Sequence, residues 1–335
     1  MIDAPIVEDG YSFEEAQASA FAFEKVLARH GVTIRSGSVL EAAILGVVDI
    51  AYKRASEGPH ELARDVRDSF RDLVGVNELA SLVLAVEGHP DFAQLVPHFM
   101  LLNEGAALQN APSSQLDDAT RKIFELFAAS LAMQCGTNVV LEDPKKSASG
   151  RNPDVLADLC GERWGIACKV LHSVHPEAFI ENLVKGIDQI EKSPASVGVV
   201  LMNFKNVLDY ENLWPTMKSL GADASPPEYA VFGDASMPYQ RLILQMQRLG
   251  VTLHQYLPTG HVETFFREKK SVGGFLLWGH AMTGIHRNGR ETASSLRVMN
   301  LQSVLPMSAS HRSVLERLNW AAFPDSRTRG EIPRC

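Results

Sequence analysis

A chain of 335 residues, 45% hydrophobic, with 40 acidic against 32 basic side chains and a formal net charge of −8 at pH 7, has the profile of an ordinary globular protein. At about 100 to 200 residues per domain this length suggests two domains with a core that needs no disulfide or metal staples, and the composition excludes disordered, collagenous and coiled-coil chains. The charge is unevenly spread: residues 1–110 hold 17 acidic and 8 basic side chains, net −9, and the remainder is net +1, so the sign that argues against a nucleic-acid partner belongs to the N-terminal third.

The first residues, Met1 to Asp9, are acidic where a signal peptide is basic, and no apolar run approaches the ~18 residues needed to span a bilayer. Neither export nor membrane insertion is expected. From Phe13 to about Leu108 the apolar spacing is helical, with segments Glu14–His30, Ser38–Ser56 and Glu61–Val74 separated by Gly or Pro breaks and no strand-like alternation. This predicts an acidic all-α domain over residues 1–112, a candidate for homo-oligomerisation. The polar stretch Asn110–Gln115 reads as a linker.

Residues 113–305 have a different texture. A helix over about Gln115–Gln134 is followed by an apolar strand, Thr137–Leu141, and a polar loop from Glu142 to Pro153. Strands Asp154–Cys160 and Arg163–Leu171 come next, joined by Gly161-Glu162, then a helix over Pro176–Lys192 and a buried strand, Ser196–Asn203. The order is α-β-β-β-α-β. Beyond it the pattern predicts a helix near Tyr210–Leu220, a helix over Pro238–Leu249, and a hairpin of Gly274–His286 with Thr292–Val304 turned at Asn288-Gly289. Residues 306–335 form a final helix after Ser308 and a tail. The four cysteines, Cys135, Cys160, Cys168 and Cys335, have no metal-ligand spacing and are too few for a disulfide framework, so a reducing cytoplasmic setting is expected.

With Gly161 and Glu162 as turn residues, Cys160 faces Arg163, Asp158 faces Gly165, Leu156 faces Ala167 and Asp154 faces Lys169. The opposite face, Val155, Ala157 and Leu159 against Trp164, Ile166, Cys168 and Val170, is apolar and belongs to the core. Asp154 and Lys169 therefore meet on the less apolar face, as a cross-strand ion pair or as chemistry. In the preceding helix the run Ile123–Met133 carries only two polar side chains, Glu125 and Ser130. A carboxylate buried among Ala128, Ala129 and Ala132 demands a metal or a basic partner; the alternative is that Glu125 points to solvent.

A helix with Glu125, Asn152-Pro153-Asp154 opening a strand and Lys169 in the next strand together resemble the PD-(D/E)XK superfamily, the restriction-endonuclease-like nucleases, over roughly a quarter of the chain. The resemblance implies an α/β fold with a restriction-endonuclease-like mixed sheet, and Mg²⁺- or Mn²⁺-dependent hydrolysis of phosphodiester bonds in DNA more than RNA. It makes Asp154 a metal ligand, Glu125 a direct or outer metal ligand, and Lys169 the group that positions the attacking water and stabilises developing charge. The family places an acid two residues before the lysine, where this chain has Ala167. Either another carboxylate takes over as a metal ligand, Asp143 or Glu181 first, with Glu142, Asp158 and Glu177 as further candidates, or the fold binds nucleic acid or a protein partner without cutting. Gln189 matches a glutamine that some nuclease subfamilies place near the active site. Lys145, Lys146 and Arg151, in the loop before Asp154, are candidate phosphate contacts. The histidines lack zinc-site spacing, and there is no Walker loop, GxGxxG or GxSxG motif.

Overall fold

The structure, a computed structural model, describes residues 10–56, 66–113, 117–145, 152–215, 236–256, 260–287 and 290–323. Ser12 opens helix α1 (Phe13–Arg29) with a capping box: its hydroxyl accepts from the Glu15 N–H and the Glu15 carboxylate accepts from the Ser12 N–H. Ala16, Ala20, Phe23 and Leu27 recur at helical spacing and are all buried. Helices α2 (Val39–Ser56) and α3 (Val66–Leu84) complete a helical layer, followed by the single turn α4 (Val96–Phe99). The predicted start of the third helix, at Glu61, lies outside the described residues.

This layer has no core of its own. Phe23, Leu73 and Phe99 belong to the same buried cluster as Ile166, Val199 and Trp278 of the sheet, and Phe70 stacks on Trp214 with ring centroids 5.5 Å apart. A buried ion pair, Arg297 to Glu78 at 2.6 Å, also pins α3 to the sheet. The change near residue 112 is one of secondary-structure type, and the apolar core runs across it.

The sheet is mixed and seven-stranded, in the order β1-β7-β6-β5-β4-β3-β2. Its strands are β1 (Gly10–Tyr11), β2 (Thr137–Leu141), β3 (Val155–Leu159), β4 (Glu162–Val170), β5 (Val197–Asn203), β6 (Ser271–Arg287) and β7 (Arg290–Ser303). With α5 (Asp118–Cys135) and α6 (Pro176–Lys192), the middle of the chain runs α5-β2-β3-β4-α6-β5. Strands β2, β3 and β4 form an antiparallel meander, and α6 is the crossover that brings β5 parallel to β4. Helix α5 covers one face through Phe124, Phe127 and Leu131, and α6 covers the other through Leu183 and Ile187, packed with Ala167 and Val200. Covered on both faces, β5 is buried at every position.

The hairpin β6–β7 pairs Arg287 with Arg290, and the expected turn residues Asn288 and Gly289 lie outside the described residues. Beyond β5, α7 (Tyr210–Leu213) is a single turn that ends at Trp214, short of the predicted Leu220, while α8 (Ser236–Tyr256) extends past both predicted ends. The short α9 (His261–Thr264) precedes β6, and Ser308 caps α10 (Ala309–Ala321) by accepting from the His311 N–H. Among the described residues no helix is long and apolar enough to cross a membrane.

The β3–β4 alignment departs from the predicted one. Leu159 pairs with Glu162 and Asp158 with Arg163, so the turn residues are Cys160 and Gly161, with φ of 49° and 82°. Two successive positive φ values match the right-handed twist of the flanking strands. Because the pairing moves by two residues, every side chain keeps its expected face. One step beyond the Val155–Ile166 pair, Asp154 falls opposite Ala167, and Lys169 is its diagonal neighbour. Cys135 and Cys168 are buried free thiols.

Candidate active site

The start of β3, the end of β4, the first half of α5 and the second half of α6 converge on a cleft of about 900 Å³, lined by Lys122, Glu125, Glu142, Asp154, Lys169 and Gln189 among others. Asp154 sits immediately before β3 and is buried. Its Oδ2 accepts from the Cys168 N–H at 2.6 Å, which fixes the carboxylate against β4. Lys169 lies on the α6 side of β4, with Nζ 4.0 Å from Asp154 Oδ2. The ammonium donates to the Cys168 carbonyl at 3.2 Å and to Oε1 of Gln189. Gln189 projects from the buried side of α6, so the amide restrains Lys169 from across the helix–sheet interface.

Glu125 does not point to solvent: it is 5% exposed. Lys122, one helical turn earlier, places Nζ 2.8 Å from Glu125 Oε1 and 3.0 Å from Oε2. His98 of α4 brings Nε2 to 3.4 Å from the same Oε2, and the charge of Glu125 acts on Asp154. Glu142, just past β2, lies 3.7 Å from Lys122 Nζ and is mostly covered.

Burial, then the charge of Glu125, push Asp154 up to about 7, against the pull of Lys169 and the Cys168 N–H. Burial also raises Glu125, against the charge and hydrogen bond of Lys122. Two neighbouring buried carboxylates titrate as a coupled pair. Burial works against the Lys122 ammonium, but Glu125, Asp154 and Glu142 outweigh it and raise its pKa. Burial pushes His98 down to about 4, so at neutral pH the imidazole is uncharged.

Of the residues expected from the sequence, Asp154, Lys169, Glu125 and Gln189 come together. Glu181 does not join them: it is exposed and pairs with Lys185 at 2.6 Å, and it does not line the cleft. Asp143 accepts from the Lys145 N–H at 2.9 Å, and its neighbour Glu142 is the one that lines the cleft. Asp158 is engaged at the other end of the hairpin by Arg163, at 3.0 Å, and Glu177 takes the Tyr256 hydroxyl. Ala167 is fully buried and packs beneath α6, so no side chain there reaches the cleft. Lys145 is exposed and outside the cleft lining, and Lys146 and Arg151 lie outside the described residues. His280 is buried, with Nε2 3.1 Å from Ser295 Oγ, far from metal-site company.

Sequence reasoning missed Lys122 and His98. Lys122 was recoverable, since residues three apart on a helix share a face; His98 reaches Glu125 only through tertiary packing.

Among the described residues no group of three or more His, Cys, Asp or Glu side chains is arranged to hold a metal ion. Mg²⁺, however, is held by one or two carboxylates and completes its shell with waters and substrate phosphates. The oxygen-only pair of Glu125 and Asp154, two buried carboxylates side by side at the cleft, fits that mode. No family model matches the chain, and no curated protein or solved structure matches it.

Proposed function

We propose that the protein is a Mg²⁺- or Mn²⁺-dependent nuclease of the restriction-endonuclease-like kind, hydrolysing phosphodiester bonds in DNA more than RNA. The observation that carries this reading is the convergence of Asp154, Glu125, Lys169 and Gln189 on one cleft from four elements of the α5-β2-β3-β4-α6-β5 unit. A cross-strand ion pair alone would need neither the buried second carboxylate nor the glutamine that restrains the lysine.

In this reading Asp154 and Glu125 hold the divalent ion, which when bound neutralises phosphate charge and lowers the pKa of a bound water. The Cys168 N–H and His98 keep the two carboxylates in place. Lys169, held by Gln189 and the Cys168 carbonyl, sets a fixed positive charge beside Asp154. There it orients the attacking water and stabilises negative charge that develops on the phosphate. Glu142 is the best-placed substitute for the acid that Ala167 lacks, because it is covered and lines the cleft. Arg121, His172, Lys185 and Lys192 around the cleft offer contacts to the flanking backbone phosphates in place of the loop cations expected from the sequence.

A second reading, a module of this kind that binds nucleic acid or protein without cutting, is favoured by the buried Ala167 and by the lack of a three-ligand group among the described residues. Incubation of purified protein with Mg²⁺ or Mn²⁺ and labelled single- or double-stranded DNA and RNA separates the two. The hydrolytic reading expects metal-dependent products that disappear in Asp154→Ala; binding with no products under any of these conditions favours the module.

A further inference from the structure

Lys122 is buried among the cleft carboxylates, and the hydrolytic reading gives it no task. Its ammonium contacts both oxygens of Glu125, at 2.8 and 3.0 Å, lies 3.7 Å from Glu142 Oε2, and feels the charge of Asp154. The Lys122, Glu125 and Glu142 side chains are 20%, 6% and 12% exposed, so solvent and salt screen these contacts weakly. Several carboxylate oxygens converging on one positive centre are the surroundings of a cation. A protonated lysine has no lone pair and cannot itself be a ligand; it competes for the oxygens that a metal would use.

We propose that the Lys122 ammonium occupies a cation position between Glu125 and Glu142, so that the cleft accepts one divalent ion, beside Asp154, where a two-metal site would accept two. This rests on the reading of Asp154 and Glu125 as metal ligands. Two-metal phosphodiester sites hold their ions about 3.5–4 Å apart on shared carboxylates. Here Glu125, the carboxylate adjoining Asp154, has both its oxygens engaged by Lys122. With all groups ionised, the three carboxylates, Lys122 and Lys169 carry one net negative charge. One divalent ion reverses that sign, and a second would add to an already positive site. Removing Lys122 frees Glu125 Oε1, leaves Oε2 with only the His98 contact at 3.4 Å, and leaves Glu142 facing Glu125 without the intervening cation.

Counting bound Mn²⁺ by the loss of its free-ion paramagnetic resonance signal, with Mn²⁺ alone and no nucleic acid, tests this on the full chain. Wild type is expected to bind one equivalent, Asp154→Asn to lose it, Lys122→Arg to keep one, and Lys122→Met to bind two. A stoichiometry that stays at one in Lys122→Met, or that is already two in wild type, overturns the proposal while the metal-ligand reading stands. Wild type that binds no Mn²⁺ overturns that reading and the proposal with it. Thermal unfolding of each variant identifies the folded ones, and if Lys122→Met does not fold, Lys122→Gln is read by the same criterion.

Discussion

Lys169 owes its position to two acceptors, the Cys168 carbonyl and the Gln189 amide oxygen, and to the Asp154 carboxylate nearby. Gln189→Ala leaves the ammonium in the cleft but unrestrained on its α6 side. Removing a group that orients a catalytic side chain costs about 10–100-fold, so single-turnover cleavage by Gln189→Ala should slow by that factor with its melting temperature nearly unchanged. A second buried lysine behaves differently. Lys205 is fully buried and donates to the Leu108 carbonyl at 2.6 Å, and burial pushes its pKa from 10.5 down to about 7. Between these values the unfolded chain binds the proton and the folded chain does not, so this group's contribution to stability rises with pH from about 7 to 10.5. Denaturant unfolding should therefore show Lys205→Met gaining most over wild type below pH 7, an advantage that shrinks towards pH 10. Asp154, Lys169 and Glu125 were legible in the sequence because each is a polar group on a segment whose apolar pattern says which way it faces. Glu142, not Asp143 or Glu181, faces the cleft because a loop residue just past β2 has no periodicity to read.

At the scale of elements, α6 and the β3–β4 hairpin set the site. Helix α6 lies close on the sheet because Gly186 has no side chain; a Cβ there would stand 2.8 Å from both methyl carbons of Val200. Gly186→Val should lift α6 and carry Gln189 with it. We expect a loss of about 1–3 kcal/mol in unfolding free energy, as for overpacked cores, together with slower cleavage. A variant as stable as wild type would show that the approach is not tight. The hairpin shows what alternation can and cannot tell. Val155, Ala157 and Leu159 are inside as the alternation says, since faces depend only on parity. The pairing itself was not legible, because the turn puts Cys160, a residue with a Cβ, at positive φ beside a glycine that would serve at either turn position. The order α-β-β-β-α-β was legible because each element is long and strongly patterned.

For the whole molecule, composition suggested an acidic helical domain beside a near-neutral one, yet one apolar cluster runs from α1 to α10 through the sheet. Composition marks where secondary structure changes, and separate cores cannot be inferred from it, since helices as apolar as α1 and α3 bury their faces on whatever sheet is available. A chain lacking residues 1–112 exposes that face of the sheet and loses His98 from behind Glu125. It should show no cooperative thermal transition by circular dichroism, whereas a sharp transition would mean that the sheet and its helices fold alone. Helices α1 to α3, which carry part of the acidic surplus of residues 1–110, share one apolar cluster with the sheet, so the proposed function requires the local cations around the cleft and the metal to hold nucleic acid. The central claim is that this cleft hydrolyses phosphodiester bonds. It is tested most directly by metal-dependent cleavage of single- and double-stranded DNA by wild type and Lys169→Ala, each first shown to be folded. The account predicts products with Mg²⁺ or Mn²⁺, none with chelator, and a rate about 10²–10³-fold lower in Lys169→Ala, the usual cost of removing a group that stabilises transition-state charge. Folded wild-type protein that yields no products with either metal, or cleavage at the same rate without Lys169, would contradict it.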